Sequence, residues 1–452
     1  MKSLFKAFND KEFNRKLIFL VLPIAFQQFM LSLVSASDAV MLGFVDQNSL
    51  SAVSLAGQVT FVYNLFLAAM TIGTSIFVAQ YWGKNDRVSV EKILGFVLRI
   101  SIVVSFLFFI VATFFSNYLM KIFTADIVLI EAGGEYLRIV GITYFMCGIS
   151  QIYLCIMKNC GHASGSMIIS SVTVVLNIVL NAIFIYGFLG TPKMGIAGAA
   201  VATTISRGVE LCWSLWESCR KDRIKIRVKY LLYVDQRLRK LFWKYTFPVL
   251  GNELVWGCGF TMYSVIMGHL GTDAVAANSI ANIVKNLIAC FCLGLGSGSG
   301  IIVGNELGAG RLQKAKTYGD YLSIWSIVSG ITSGILLLAT TPVILHFSNL
   351  SEQANNYLSW MLIMCSYYMI GKSINSTTIA GIFCAGGDSK FGFLCDAITL
   401  WCITVPLGLI AAFVLRMPVL VVYFIVNLDE IIKLPVVYRH YKKYIWIKDL
   451  TA

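Results

Sequence analysis

The chain has 452 residues, 58% of them hydrophobic and only 13% charged, with a mean hydropathy of +0.76, whereas soluble domains carry about a quarter charged residues. That composition excludes a soluble globular protein. The formal charge of +13 would suggest a nucleic-acid partner if the basic residues formed a patch, but they lie between apolar runs, and nucleic acid is excluded as a partner.

The N-terminal stretch MKSLFKAFNDKEFNRK is polar and amphipathic, lacks the short apolar core and cleavage site of a leader, and runs straight into a full-length span. The first helix therefore reads as an anchor. Apolar runs of the length a spanning helix needs follow at about 16 to 44, 51 to 80, 93 to 117, 132 to 157, 167 to 190 and 194 to 216. They resume at 242 to 270, 274 to 304, 317 to 347, 356 to 384, 391 to 414 and 417 to 437. The expectation is an all-α integral membrane protein of twelve transmembrane helices, with no room for a catalytic domain.

With the N-terminus in the cytoplasm, 28 of the 36 Lys and Arg fall in inner segments and three in outer loops. Five more (Arg99, Arg138, Arg207, Lys285 and Lys372) fall within spans. Basic residues favour the cytoplasmic side, so both termini are expected inside, in a multi-pass protein of the plasma membrane. The longest polar stretch, SCRKDRIKIRVKYLLYVDQRLRK, divides the chain into residues 1–216, a basic cytoplasmic linker at 217–240, and residues 241–452. Sliding the second half back by 225 residues puts Pro248 on Pro23, Gly268 on Gly43, Ala277 on Ala52, Gly298 on Gly73 and Gly308 on Gly83, and about a dozen of 61 positions coincide without a gap. The halves read as parallel six-helix repeats, the arrangement of transporters that rock two bundles about a midplane site.

The repeats differ where chemistry is expected. Gln28 aligns with Glu253, and Asp38 with Tyr263, so each carboxylate lacks a counterpart. A carboxylate within a span costs about 2.5 to 3.5 kcal/mol on insertion scales and is by default a functional hypothesis. Asp38 reads as a proton or cation site, or as a solvated carboxylate near the outer interface. Glu253 follows Pro248 and Gly251, which weaken the helix and free carbonyls; it reads as a titrating group or as the partner of Lys285 or Lys372. Asp396, Asp429 and Glu430, the last two beside Lys433, read as solvated or locally paired charges. Asn177 and Asn181 are four residues apart on one helical face, as interhelical glue or as site ligands.

Other patterns carry no chemistry. The run GLGSGSGIIVG from Gly294 to Gly304 lacks the G-K-[ST] ending of a phosphate cradle and reads as close helix packing. The histidines are scattered at 162, 269, 346 and 440, and the twelve cysteines lie singly or as Cys290-x-Cys292, which reads as reduced packing residues. Neither an ATP-driven pump nor a hydrolase motif is present, so the chain is not expected to be an enzyme.

The residues resemble the multidrug and toxic compound extrusion (MATE) transporters over essentially the whole chain. The resemblance rests on Pro23, Gln27, Gln28 and Asp38 to Gly43 in span one, and on VAQYWGKND with its repeat copy VGNELGAGR. It also rests on Asn177, on MGIAGAAVATTISR and on GNELVW. It implies a V-shaped protein of two six-helix lobes that acts by alternating access. It also implies an antiporter, working as a monomer without cofactor, that exports small amphipathic or cationic organic compounds against inward H+ or Na+. By motif position, Asp38 with Asn177, Asn181 and Thr203 matches the family's cation site, with Asp38, Asn177 and Asn181 as ligands if the ion is Na+. Glu253 matches the acidic position of the second lobe. The chain departs from the pattern in span ten, where Lys372 and Asn375 stand and no acid occurs. Within the same superfamily the alternative is a lipid-linked precursor flippase that uses Lys285 and Lys372 for an anionic headgroup. A non-transporting scaffold is the remaining reading.

Overall fold

The computed structural model describes residues 7–451 other than 44, 46, 234 and 349, and of residues 35, 39, 43, 47 and 189 the backbone alone. Lys2 and Lys6, which count toward the basic inner segments, lie outside the described residues, as do the first six positions of the amphipathic N-terminal stretch. Among the described residues there is no strand, and twelve long helical segments follow one another. The first six are α1 (Lys11–Gly43), α2 (Gln47–Gly83), α3 (Arg87–Phe114), α4 (Ile127–Asn159), α5 (Ala163–Tyr186) and α6 (Gly195–Cys219). The second six are α7 (Gln236–Gly268), α8 (Thr272–Gly308), α9 (Leu312–Phe347), α10 (Glu352–Asn375, continued in π-type turns to Phe383), α11 (Ser389–Val414) and α12, which comes in short pieces (Val419–Val426, Asp429–Ile432 and Leu434–Tyr441). Eight of these are long and apolar enough to cross a membrane. The 37 residues of α2 and of α8 make about 55 Å of helix, well beyond the ~30 Å hydrocarbon core.

The duplication is written into the backbone. α1 and α7 are both 33 residues long, α2 and α8 both 37, and each pair starts 225 positions apart. The turns that end α2 and α8 repeat bond for bond: the Lys84 N–H donates to Gln80 O and the Ala309 N–H to Asn305 O, both at 3.1 Å. Asn85 and Gly310 then take the left-handed conformation, with φ of 60° and 73°.

Three expectations change. Span three ends at Phe114, and a separate short helix, Ser116–Phe123, follows it. α12 is broken into Val419–Val426, Asp429–Ile432 and Leu434–Tyr441, because its central charges are held by other helices. The basic segment is also not a plain tether, since helices take both its ends. Arg220 and Arg223 hold Glu217, and Arg227 Nε lies 2.6 Å from Glu91 Oε2.

Two compact units result: Met30–Thr74 with Asp86–Leu241, and Met1–Phe29 with Ser75–Asn85 and Phe242–Ala452. α1 and α2 each contribute to both. Within the second unit, small residues set helix distances. A Cβ on Gly294 would meet Ala25, one on Gly298 would meet Val21, and one on Gly304 would meet Ala79, so the glycine run packs helices closely. The C-terminal tail closes this unit. Gln80 Nε2 donates to Ala385 O at 2.7 Å, Gln80 Oε1 accepts from the Leu450 N–H at 2.7 Å, and Trp446 is fully buried against Gly319.

Candidate functional site

In the unit built mainly from the first half, α1, α5 and α6 bring one carboxylate, two amides and a hydroxyl together. Gly198 of α6 lets the helix approach the Phe184 backbone of α5, where a Cβ would fall 2.6 Å from its carbonyl oxygen, and the Tyr186 hydroxyl donates to Met41 O at 2.9 Å. These contacts align Thr203, Asn177 and Asp38. Asn181 Nδ2 donates to Asp38 Oδ1 at 2.5 Å and to Asn177 Oδ1 at 3.3 Å, Asn177 Nδ2 donates to Thr203 Oγ1 at 3.3 Å, and Thr203 Oγ1 donates to Ala199 O at 2.9 Å. Asn181 is thus the shared donor: one bond runs to the Asp38 carboxylate and the other starts a chain through Asn177 and Thr203 to the Ala199 carbonyl. Asn181 is fully buried, and among the described residues its Oδ1 has no hydrogen-bond partner. Buried amide oxygens are seldom left so, and this one is available to a proton or a cation. Among the described residues no group of three or more His, Cys, Asp or Glu gathers, so the oxygens of this site come mainly from neutral groups.

One turn beyond Thr203, Arg207 Nη1 lies 2.7 Å from Glu210 Oε2, and Glu210 Oε1 accepts from Ser150 Oγ at 2.7 Å and Gln151 Nε2 at 2.8 Å. Sequence reasoning missed Glu210; the signal was Arg and Glu three residues apart inside an apolar run.

The other unit carries the remaining candidates. Glu253 is half-buried on α7 and makes an ion pair with neither Lys285 nor Lys372. Lys372 Nζ lies 3.3 Å from Glu430 Oε1 and 5.3 Å from the centroid of the Trp256 ring, while Lys285 Nζ lies 5.0 Å from the centroid of the Tyr368 ring. Glu430 also meets Lys433 Nζ at 3.0 Å and Asn375 Nδ2 at 2.7 Å, and Lys433 Nζ meets Asp396 Oδ1 at 2.7 Å. Asp396, Asp429 and Glu430 are thus buried rather than solvated, the first and last in one network across α10, α11 and α12. Glu430 is the acid beside Lys372 and Asn375 that span ten itself does not supply. Close approach makes the network possible, because a Cβ on Gly371 would stand 2.8 Å from Glu430 O.

Comparison with known proteins agrees with this architecture. A family model described as MatE matches residues 23–183 and again 248–410, beginning at the two prolines that the 225-residue register superposes. A Bacillus subtilis relative named as an uncharacterized transporter, YisQ, is 21% identical over 98% of this chain and 97% of its own. A Thermotoga maritima relative named as a probable multidrug resistance protein, NorM, is 24% identical over 90% and 88%. Among solved structures, a MOP superfamily transporter from Pyrococcus furiosus superposes with a TM-score of 0.86 at 19% identity, covering 95% of each chain. An outward-facing multidrug resistance transporter does so with a TM-score of 0.85, also at 19% identity, covering 95% of this chain and 96% of its own.

Proposed function

Because the chain belongs to the MatE family, whose members are membrane transporters and not enzymes, we propose that it is a secondary antiporter that exports amphipathic organic compounds in exchange for an inward cation bound at Asp38. The multidrug names of its relatives and its lipid-embedded helices support that substrate class, and the distribution of basic residues supports an orientation with both termini in the cytoplasm.

The observation that carries the reading is that the Asp38 carboxylate accepts from Asn181, the amide that also heads a donor chain through Asn177 to Thr203. This set of bonds is complete when the Asp38 carboxylate is an acceptor. A proton placed on Asp38 Oδ1 turns that atom from acceptor to donor and faces it with the Asn181 N–H, and the amide can answer by turning to offer its Oδ1, which has no partner among the described residues. A turned amide changes what α5 offers α1, and ion occupancy thereby becomes a change in helix packing. Sodium would use the same oxygens but would have to displace the Asn181 N–H from both Asp38 Oδ1 and Asn177 Oδ1, which favours the proton as the coupling ion. A headgroup flippase is less well supported, since Lys372 is held by Glu430 and one free lysine is a weak clamp for a pyrophosphate.

Asp38→Asn tests the reading. In proteoliposomes it should abolish gradient-driven efflux of ethidium while keeping the thermal unfolding midpoint, because the amide preserves shape and removes the titrating charge. Wild-type efflux from the variant would remove Asp38 from the mechanism.

A further inference from the structure

Among the charges buried in the second half, Glu306 is held by Lys16 and Arg311, and two further arrangements stand apart. Asp396, Lys433, Glu430 and Lys372 close on one another, and their formal charges cancel. Lys285 stands outside that network. It is 8% exposed, no carboxylate lies within ion-pairing distance of it among the described residues, and its ammonium rests on the face of Tyr368. Asp429 contributes to its electrostatic field without pairing. A cation held out of water without a paired anion is costly, and a fold that retains one has a use for it.

Its surroundings indicate which use. Asn278, Asn282 and Lys285 recur at i, i+4 and i+7 along one face of α8, with Asn282 Nδ2 donating to Asn278 Oδ1 at 3.3 Å. Together with Tyr263, Asn427 and Phe260 they line a crevice of about 20 Å³ that contains no acidic residue. That volume holds little more than one water, so it fits a single polar group of a larger molecule whose apolar body lies outside. The amides and the ammonium offer donors, the Tyr263 hydroxyl being engaged with Thr404 at 2.6 Å, and among the described residues the charge in the lining is positive.

We propose that this crevice is a subsite for a carboxylate group on an amphipathic substrate, with Lys285 as the recognising cation. The inference deepens the export reading and rests on it for the transport step, though not for binding. It also suits the energetics, because an anion leaving and a cation entering both move in the direction favoured by an inside-negative potential.

The test is equilibrium binding of 5-carboxyfluorescein, an organic anion, and ethidium, an organic cation, to the purified full-length protein by fluorescence anisotropy. Lys285→Gln should weaken carboxyfluorescein binding about tenfold or more, the scale of one charge-assisted hydrogen bond. Lys285→Arg should keep it within about threefold, and ethidium binding should not weaken in either. If Lys285→Gln does not fold, Asn282→Ala carries the same reading, with anion binding reduced and ethidium binding kept. Unchanged carboxyfluorescein affinity in the neutral variant, or a wild type that does not bind the anion, overturns the proposal. Proteoliposomes separate the two readings. Lys285-dependent binding without gradient-driven efflux of either dye removes export and leaves the subsite, whereas efflux of both dyes unaffected by Lys285→Gln removes the subsite and leaves export.

Discussion

Lys433 is the common partner of Asp396 and Glu430, at 2.7 and 3.0 Å, and all three side chains are less than a tenth exposed. Removing it orphans two buried carboxylates, for which the expected loss is about 3 to 5 kcal/mol. Lys285 has no paired anion to orphan, so Lys285→Met should change stability by less than about 1 kcal/mol or raise it. Thermal unfolding of Lys433→Met and Lys285→Met in the same detergent checks this; equal losses would mean that Lys285 is a structural ion-pair member after all. The contrast also marks what the sequence could convey. Asp38, Asn177 and Asn181 were legible because a polar side chain in an apolar run has few explanations, whereas Thr203 entered only through the family resemblance. The partner choice of Lys372 was not legible. Glu253, at similar estimated depth, was a natural candidate, but the break in α12 delivers the Glu430 carboxylate and its backbone to Lys372 and Asn375, and a break of that kind depends on tertiary contacts rather than on local pattern.

At the level of elements, the crossing of α2 and α8 follows from the duplication. A Cβ on Gly83 would lie 2.1 Å from Asn305 O, and one on Gly308 would lie 1.9 Å from Gln80 O. Gly83 and Gly308 are equivalent in the two repeats, as are Gln80 and Asn305, so the same contact is made twice with its partners exchanged. Ala79 and Gly304, also equivalent, meet at its centre. The obstructing atoms are backbone, which cannot step aside as a side chain can. Gly308→Ala should therefore destabilise by about 1 to 3 kcal/mol. Gly57→Ala on α2, where nothing lies within 4 Å, should be neutral or stabilising by up to about 1 kcal/mol, since alanine loses less freedom on entering a helix. Thermal midpoints measured side by side decide it; a neutral Gly308→Ala would mean that the crossing opens at little cost. The 225-residue register and the twelve spans were readable from spacing and hydropathy. The restart after Phe114 and the three pieces of α12 were not, because an apolar run looks alike whether or not the helix within it is continuous.

For the whole molecule, the mechanism turns on which ion the gradient supplies. An inward monovalent cation yields about 2.3 kcal/mol per 100 mV of potential, plus its concentration term, and either ion could deliver that. The sites available to hold it differ. In one unit a single carboxylate accepts from Asn181, the amide that heads a chain of neutral groups. In the other, Glu430 already accepts from Lys372, Lys433 and Asn375, and Asp396 from Lys433, so neither offers a free oxygen set to a second ion without breaking a buried network. One proton on Asp38, answered by one amide rotation at Asn181, is the smallest change that reorganises a site, whereas sodium would require several oxygens to turn inward together. The expectation is that an inward pH gradient alone, in sodium-free proteoliposomes, drives ethidium efflux at the full rate, and that an inward sodium gradient at constant pH drives none. Asn181→Leu, which removes both the donor to Asp38 and the free oxygen, should suppress the pH-driven rate at least tenfold while leaving ethidium binding in place. Sodium-driven efflux with no response to pH would assign the Asp38 oxygens to a metal ion and replace the amide rotation with a coordination change.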